Sequence, residues 1–475
     1  MGGSFMKRKT TIIAAALAGL LLSGMAGCSQ SGGGDSDVLR IVCLNKGYGK
    51  EWIEDLAGIW EEQNPGKRIE LDANAQASTL ISKHLASKNN SDDVYISVGK
   101  NWLTYAGSGK FAPLDDLMEE EVDGAKVKDR VNAEFASSLK QTGNDGQEHT
   151  YHLPWTRGIG GIYYNAKLLR QVKGWENKVP STTAELLQLV SDIKAAKLTS
   201  GVNLVKPFVY TGANTDYFDY TVLSWWGQLA GKEAISSFLE YSSAEAFDYT
   251  KTDGAYSKLK QATETWYQIF GDSSNYVDGS LSKSNDAAQQ DFLNGKAVMM
   301  MDCDWIYNEM LNYNTKDHTL PASMELAMME TPTITGAVYP NTYYVVGDDQ
   351  YMAIPASSAH QEDAKSFLKL VVSNQGCQTF FEKAHGFLAY NFTPTSSGDA
   401  YMDSVLNVRS SMGDCFTKYS PSPLYINGNL DIWGSAALRP FYSLLSSSST
   451  VESEFEKIKT TTSQSWGEWV KNWGE

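Results

Sequence analysis

The sequence predicts an α/β fold, because β-branched apolar runs alternate with helical patterns along the chain. The first run, Val38–Leu44, is followed by a glycine-containing turn and a helical pattern from Trp52 to Trp60. A second strand at Arg68–Leu71, a helix start at Leu80–Leu85 and a third strand at Asp93–Val98 repeat the alternation. The expected product is an open sheet flanked by helices.

Ligands of such sheets bind beyond the carboxyl ends of the strands. The turn after the first predicted strand carries Asn45, Lys46 and Tyr48, and Asn74 and Trp102 follow the second and third strands. These positions are therefore candidates for ligand contact, although an aromatic residue there is as often part of the core.

The later elements continue the pattern and end in a charged helix. They are predicted as a glycine-rich connection into a strand (153–165), a helix opened by Ser181, Thr182 or Thr183, a strand (207–211), an aromatic segment (217–226), polar helices to about 270, a helix end, turn and buried strand (291–305), a strand (351–355), a helix (362–372) and a helical tail (448–473).

The first 37 residues indicate export. Basic residues 7–9, an apolar run of residues 12–22 and small residues up to Cys28 predict a signal peptide over 1–27. Met25–Cys28 resembles the lipobox of bacterial lipoproteins, which implies lipidation at Cys28, and residues 28–37 would form a flexible tether. We expect the mature protein to be anchored to the outer face of the bacterial cytoplasmic membrane.

The composition narrows the possible partners. The 475 residues include 40 basic and 56 acidic side chains, a net charge of −16, which argues against nucleic acid as a partner. The apolar run near the amino end is shorter than the roughly 20 residues of a spanning helix, and no later run comes closer. The 55 aromatic residues, many of them in predicted loops, suggest ligand recognition.

Metal, cofactor and catalytic patterns are not recognisable in the sequence. Cys43, Cys303, Cys377 and Cys415 lack zinc spacing, and their pairing stays open. Asp302 and Asp304 alternate on a predicted strand and are expected to form a solvated pair. We therefore predict a protein that is not an enzyme, with no catalytic residue, no metal and no cofactor.

Several segments, in order, resemble the solute-binding proteins of bacterial ABC importers, in the sugar-binding branch that includes maltose-binding protein. They are LNKGYGKEWIEDLAGIWEEQNPG, DDVYISVGKNWLTYAGSGKFAPLDDL, LPWTRGIGGIYYNAKLL, DFLNGKAVMMMDCDW and YMAIPASSAHQEDAKSFLKLVVS. The resemblance implies a two-lobed, periplasmic-binding-protein-like (type II) α/β fold, each lobe a mixed sheet flanked by helices. It also implies a monomer that captures a carbohydrate, expected to be an oligosaccharide, outside the cell and delivers it to the permease subunits in the membrane.

The resemblance places the lobes at 38–155 plus 356–393 and at 159–353 plus 397–475. Hinge crossings are expected near 155–158, 354–357 and 391–396, with Gly158 and Pro355 as hinge residues. Glycine can absorb the backbone rotation of a hinge, whereas proline fixes its own φ.

The same resemblance adds residues to the expected binding site. Trp305 and Trp433 match the stacking tryptophans of the family, and Tyr217 lies near its aromatic residue after the strand 207–211. Asp304 stands where maltose-binding protein has part of a Gly-Pro pair, and it would accept hydrogen bonds from sugar hydroxyls. Calcium binding and the identity of the sugar stay open.

The sequence is also compatible with two other functions. A receptor for a polyamine or peptide would also use aromatic residues and carboxylates, and the acidic composition suits a cation. A secreted glycoside hydrolase would share export and aromatic content but needs a pair of carboxyl groups at a defined separation. The chain lacks the GxSxG and HExxH patterns of other hydrolases.

Overall fold

The computed structural model describes residues 37–313, 318–395, 398–427 and 440–473. The signal peptide, Cys28, nearly all of the tether and Trp433 lie outside these ranges. None of the described helices has the length and apolar composition that a membrane crossing requires.

The helices and strands are numbered in chain order. The first part contains β1 (Val38–Leu44), α1 (Glu51–Gln63), β2 (Arg68–Asn74), α2 (Ala77–Ala86), β3 (Val94–Val98), α3 (Asn101–Gly107), α4 (Asp115–Glu119), β4 (Glu121–Val122), β5 (Ala125–Lys126), α5 (Val127–Arg130), β6 (Lys140–Thr142), β7 (Glu148–Thr150) and β8 (Leu153–Pro154). The middle contains β9 (Gly160–Asn165), α6 (Ala166–Leu169), α7 (Thr183–Ala196), β10 (Thr199–Ser200), β11 (Asn203–Leu204), β12 (Lys206–Val209), α8 (Asp219–Ala230), α9 (Lys232–Leu239), α10 (Ala255–Phe270), α11 (Asn285–Leu293), β13 (Ala297–Cys303) and α12 (Ile306–Tyr313). The last part contains β14 (Leu326–Met329), β15 (Tyr343–Tyr344), β16 (Gln350–Ala353), α13 (Gln361–Val371), α14 (Asn374–Ala384), α15 (Ala400–Ser411), β17 (Cys415–Phe416), α16 (Pro423–Ile426), α17 (Pro440–Ser446) and α18 (Val451–Trp473).

The first lobe is built on a five-stranded sheet in the order β2-β1-β3-β16-β8. β1 runs parallel to β2 and β3, whereas β16 is antiparallel to β3 and β8. Helix α1 buries Trp52, Ile53, Leu56 and Trp60 on one face, as its apolar spacing predicts, and it packs against α14.

The second lobe is built on a four-stranded sheet in the order β12-β13-β9-β14. β13 is buried along its whole length, and it pairs in parallel with β12 and antiparallel with β9. Helix α8 is buried on nearly all sides beside this sheet. Two mixed sheets with flanking helices confirm the predicted two-lobed α/β class.

The crossings between the lobes differ in part from the expectation. The first runs from β8 to β9, and there Gly158 donates to the carbonyl of Val346 at 2.9 Å and accepts from its N–H at 3.0 Å. We predicted the second crossing near 354–357, but β16 already pairs with β3 of the first lobe. The chain therefore passes back from the second lobe to the first before residue 350. Pro355 lies within the first lobe and not at a crossing. The third passage joins α14 to α15, which packs on β14, and residues 396–397 within it lie outside the described ranges.

A buried ion pair stands at the first crossing. Arg157 bonds through Nε to Glu134 of the first lobe, and its Nη2 lies 3.0 Å from Sγ of Cys415. The side chains of Arg157 and Glu134 are only 9% and 7% exposed. Burial disfavours the charged guanidinium, but the charge and hydrogen bond of Glu134 outweigh it, so the pKa of Arg157 is raised.

Candidate functional site

A cavity of about 220 Å³ lies between the two lobes, at the carboxyl ends of β1 and β13. Residues of both lobes line it. They are Leu44, Lys46, Gly47, Tyr48, Val98, Trp155 and Gln350 from the first lobe and Tyr217, Trp305 and Glu309 from the second. A ligand in this cavity would contact both lobes at once.

Trp305 forms the centre of the aromatic wall. It follows the buried strand β13 and immediately precedes α12. The rings of Tyr48, Tyr217 and Tyr220 lie 5.8, 6.4 and 6.3 Å from it, at interplanar angles of 90°, 86° and 77°. Edge-to-face contacts of this kind are favourable and hold the indole in one orientation.

Two glycines allow the first lobe and the hinge to approach Trp305. A Cβ on Gly47 would lie 3.1 Å from the Cβ of Trp305, and Gly47 has a φ of +28°. A Cβ on Gly158 would lie 2.9 Å from Sγ of Cys303 and 3.4 Å from the indole. Side chains at either position would push the walls of the cavity apart.

Tyr48 and Asp304 form a hydrogen bond that joins the lobes behind the cavity. The phenol donates to Oδ1 of Asp304 at 2.7 Å, and both residues are buried. Burial raises the pKa of Asp304 to about 7. Asp304 is therefore a partner of Tyr48 and does not line the cavity as the predicted sugar acceptor. Asp302 is also fully buried, so the expected solvated pair is wrong.

Glu309 is the carboxylate that lines the described cavity wall. Its Oε2 accepts a hydrogen bond from Nε2 of Gln289 at 2.6 Å. Burial raises the pKa of Glu309 to about 7, while the ammonium of Lys46 opposes that rise. Glu309 is not among the residues predicted from the sequence, although its position four residues after Trp305 would place both on one helical face.

The structure gathers some of the predicted residues and separates others. Lys46, Tyr48, Tyr217 and Trp305 line one cavity. Asn45 lines a different depression, between α1 and β2. Trp102 is fully buried with its ring 3.9 Å from that of His152, so it does not reach the cavity.

Trp155 and Gln350 also line the cavity and were not predicted as binding residues. Trp155 was placed at the hinge, and the cavity lies directly beside that crossing. Gln350 begins β16, so its position depends on the pairing of β16 with β3, which the local sequence does not indicate.

The described residues contain no group of three or more His, Cys, Asp or Glu side chains arranged to hold a metal ion. All four described cysteines are free and buried. Among the described residues, the cavity lining is aromatic with one ammonium, one carboxylate and one amide at its polar positions, an arrangement suited to holding a partly apolar, partly hydrogen-bonding ligand.

The chain is similar to known binding proteins over most of its length. It is 21% identical over 374 residues, 77% of this chain and 79% of the relative, to the multiple sugar-binding protein of Streptococcus mutans. Its fold is similar to that of a chitin oligosaccharide binding protein (TM-score 0.65, 18% identity, 91% of this chain and 99% of that one). It is also similar to apo RafE of Streptococcus pneumoniae (TM-score 0.62, 16% identity, 93% and 99%).

The family model of the bacterial extracellular solute-binding proteins matches residues 46–376. The match includes the loop after β1, the first crossing and the segment with Trp305 and Glu309. The chain therefore belongs to the bacterial extracellular solute-binding protein family.

Proposed function

We propose that this protein is the substrate-binding subunit of an ABC importer that captures a neutral carbohydrate and delivers it to the permease. The observation that carries this proposal is the aromatic cavity that both lobes line. A carbohydrate ligand is supported by similar proteins described as binding multiple sugars or chitin oligosaccharides, and by similar structures solved in complex with raffinose or stachyose.

The chemistry of the cavity wall suits a sugar. A pyranose ring has apolar CH faces, which pack on aromatic rings such as those of Trp305, Tyr48 and Tyr217. Its hydroxyls need donors and acceptors at the edge of the ring. Lys46 donates, Glu309 accepts and Gln350 can do both, so three polar side chains serve that edge.

The balance of charge in the cavity favours a neutral ligand over a polyamine. The described lining contains one ammonium, at Lys46, and one carboxylate, at Glu309. Asp302 and Asp304 are buried behind the wall, and burial raises the pKa of each. The volume of about 220 Å³ is below the roughly 300–1,000 Å³ typical of pockets for drug-sized ligands. We therefore place one sugar unit in the cavity and the rest of an oligosaccharide outside it.

A thermal-shift panel tests this proposal. Raffinose, stachyose, chitotriose, xylotriose and maltotriose would be compared with spermidine, galacturonate and a basic dipeptide. A ligand at 100 times its Kd stabilises the native state by about 2.7 kcal/mol. We expect at least one neutral sugar to raise the melting temperature. If only spermidine or the dipeptide stabilised the protein, the ligand would be a cationic solute and the proposal of a carbohydrate would be wrong.

Ligand binding should close the two lobes around the hinge. A ligand that contacts Lys46 and Tyr48 on one lobe and Trp305 on the other binds the closed state more tightly than the open state. The radius of gyration, measured by small-angle scattering, should therefore fall when the sugar from the panel saturates the protein. An unchanged radius at saturation would instead describe a rigid receptor.

Export and anchoring complete the proposed role. Lipidation at Cys28 would hold a monomeric receptor beside its permease at the outer face of the membrane. Mass spectrometry of membrane-bound protein should find a diacylated or triacylated Cys28 at the mature amino terminus. An unmodified Cys28 on protein released into the medium would show that the proposed lipid anchor is wrong.

A glycoside hydrolase is a weaker candidate. Hydrolysis needs two carboxyl groups facing the same glycosidic bond. In the described lining Glu309 stands without a second carboxylate, since Asp302 and Asp304 are buried behind the wall. If shorter sugars appeared when the protein was incubated with the oligosaccharides of the panel, hydrolysis would replace binding as the proposed function.

A further inference from the structure

Glu309 and Trp305 are held at a fixed spacing by the first turn of α12. The backbone N–H of Glu309 donates to the carbonyl of Trp305 at 3.2 Å. Both side chains line the cavity. An aromatic surface and a hydrogen-bond acceptor are therefore presented together on one rigid element.

The carboxylate of Glu309 is oriented by a network of amides. Nε2 of Gln289 donates to Glu309 Oε2 at 2.6 Å and to Asp302 Oδ2 at 2.9 Å. The phenol of Tyr313 donates to Oε1 of Gln289 at 3.0 Å, which fixes the direction of that amide. Nδ2 of Asn285 lies 3.4 Å from the same Oε2. The network thus holds one carboxylate oxygen on the side away from solvent.

Lys46 approaches Glu309 from the opposite lobe. It lies in the loop after β1 and is exposed, and its charge acts on Glu309 without a direct ion pair in the described contacts, while the backbone N–H of the next residue, Gly47, donates to the carboxylate. A sugar hydroxyl can donate to a carboxylate while its neighbour accepts from an ammonium. The two side chains therefore suit a pair of adjacent hydroxyls placed between them.

We propose that Glu309 is the specificity-determining residue of this receptor, and that its ionised carboxylate, together with the ammonium of Lys46 from the opposite lobe, selects sugars with two adjacent free hydroxyls. This inference rests on the proposed carbohydrate function. Gln289 is a positioning residue, because it orients Glu309 and does not line the cavity. A sugar methylated or deoxygenated at the recognised hydroxyls leaves Glu309 without its partner and is rejected.

The charged groups around Glu309 predict how binding depends on pH. Asp302 on β13 and Asp286 on α11 repel its charge, and Lys46 attracts it. The phenols of Tyr217 and Tyr313 also face it from the adjoining segments. Burial is the largest influence and raises the pKa of Glu309 to about 7. Because the ionised form binds, affinity should rise as the pH increases through that value and fall below it.

The test is calorimetry with the neutral sugars of the panel at pH 5.5 and pH 8.5. Wild type should bind more tightly at the higher pH. Glu309→Gln should weaken binding at pH 8.5 by about tenfold or more, because a hydrogen bond to a charged group is lost, and should remove most of the pH dependence. Glu233→Gln, on the exposed surface of α9 in the same lobe, is the matched control and should behave like wild type.

Two further variants separate recognition from folding. Lys46→Met changes an exposed side chain and should also weaken binding, with an unchanged melting temperature in the absence of sugar. Gln289→Leu should move the midpoint of the pH profile upward, since its hydrogen bond favours the charged form of Glu309.

The outcomes distinguish this inference from the proposed function. If a sugar binds wild type and Glu309→Gln binds it equally well with the same pH profile, the carbohydrate function stands and the role of Glu309 is refuted. A retained pH profile would then point to Asp304, whose pKa lies in the same range. If no sugar binds wild type at either pH, the proposed function itself fails.

Discussion

Replacing Trp305 with alanine should weaken sugar binding by about a hundredfold. The variant loses an aromatic contact of about 0.5–1.5 kcal/mol and the burial of a large apolar surface against the ligand. Trp305 also holds Tyr48 and Tyr217 in their edge-to-face positions, so its removal loosens the rest of the wall. Calorimetry with the sugar that gives the largest thermal shift measures this change.

Trp469→Ala provides the matched control for that experiment. Trp469 lies on α18, partly exposed, with the rings of Trp466 and Trp473 at 6.5 and 6.4 Å. It is outside the cavity lining, so its loss should leave the affinity unchanged. Equal affinity of Trp305→Ala and wild type would exclude the cavity as the binding site.

Glu134→Gln should destabilise the fold by about 3–5 kcal/mol, because it leaves the buried guanidinium of Arg157 without a counter-charge. The midpoint of urea unfolding measures this loss. The pair lies at the first crossing, where Arg157 also contacts Cys415. The variant should therefore loosen the connection between the lobes as well as lower the stability.

An exposed ion pair supplies the comparison. Glu325→Gln breaks the contact with Arg170, and both of these side chains are more than 40% exposed. Pairs of this kind contribute about 0–1 kcal/mol. The double variant Arg157→Met with Glu134→Leu should recover much of the stability, because it leaves no unpaired buried charge. If Glu134→Gln were as stable as Glu325→Gln, the buried pair would have no structural role.

Local patterns in the sequence predicted the positions of helices and strands better than they predicted which strands pair with each other. The predicted helix 362–372 appears as Gln361–Val371, and the third strand, predicted at Asp93–Val98, appears as Val94–Val98. The strand predicted at 351–355 also exists, as Gln350–Ala353. Its apolar residues do not show which sheet it joins, because pairing with β3 is a contact across more than 250 positions of the chain. Because this pairing was not predicted, the second crossing was expected at 354–357, whereas the structure has it before residue 350.

The binding site shows the same difference between what local sequence predicts and what depends on long-range packing. The loop position of Lys46 and Tyr48 and the family resemblance of Trp305 led to separate expectations of ligand contact, and the structure places all three residues in the lining of one cavity. Trp102 had an equivalent position after β3, but it lies on the inner face of α3 against His152. Glu309 was missed because its role depends on the amide of Gln289, which reaches it from another helix. Sequence patterns identify residue types near a site, whereas packing decides which of them face the ligand.

The most direct test of the account is a crystal structure of the protein with the neutral sugar that gives the largest thermal shift. We expect one sugar ring in the cavity between the lobes, with a face against Trp305 and hydroxyls within hydrogen-bond distance of Glu309 and Lys46. A sugar bound elsewhere, or bound without contact to Trp305 and Glu309, would contradict it.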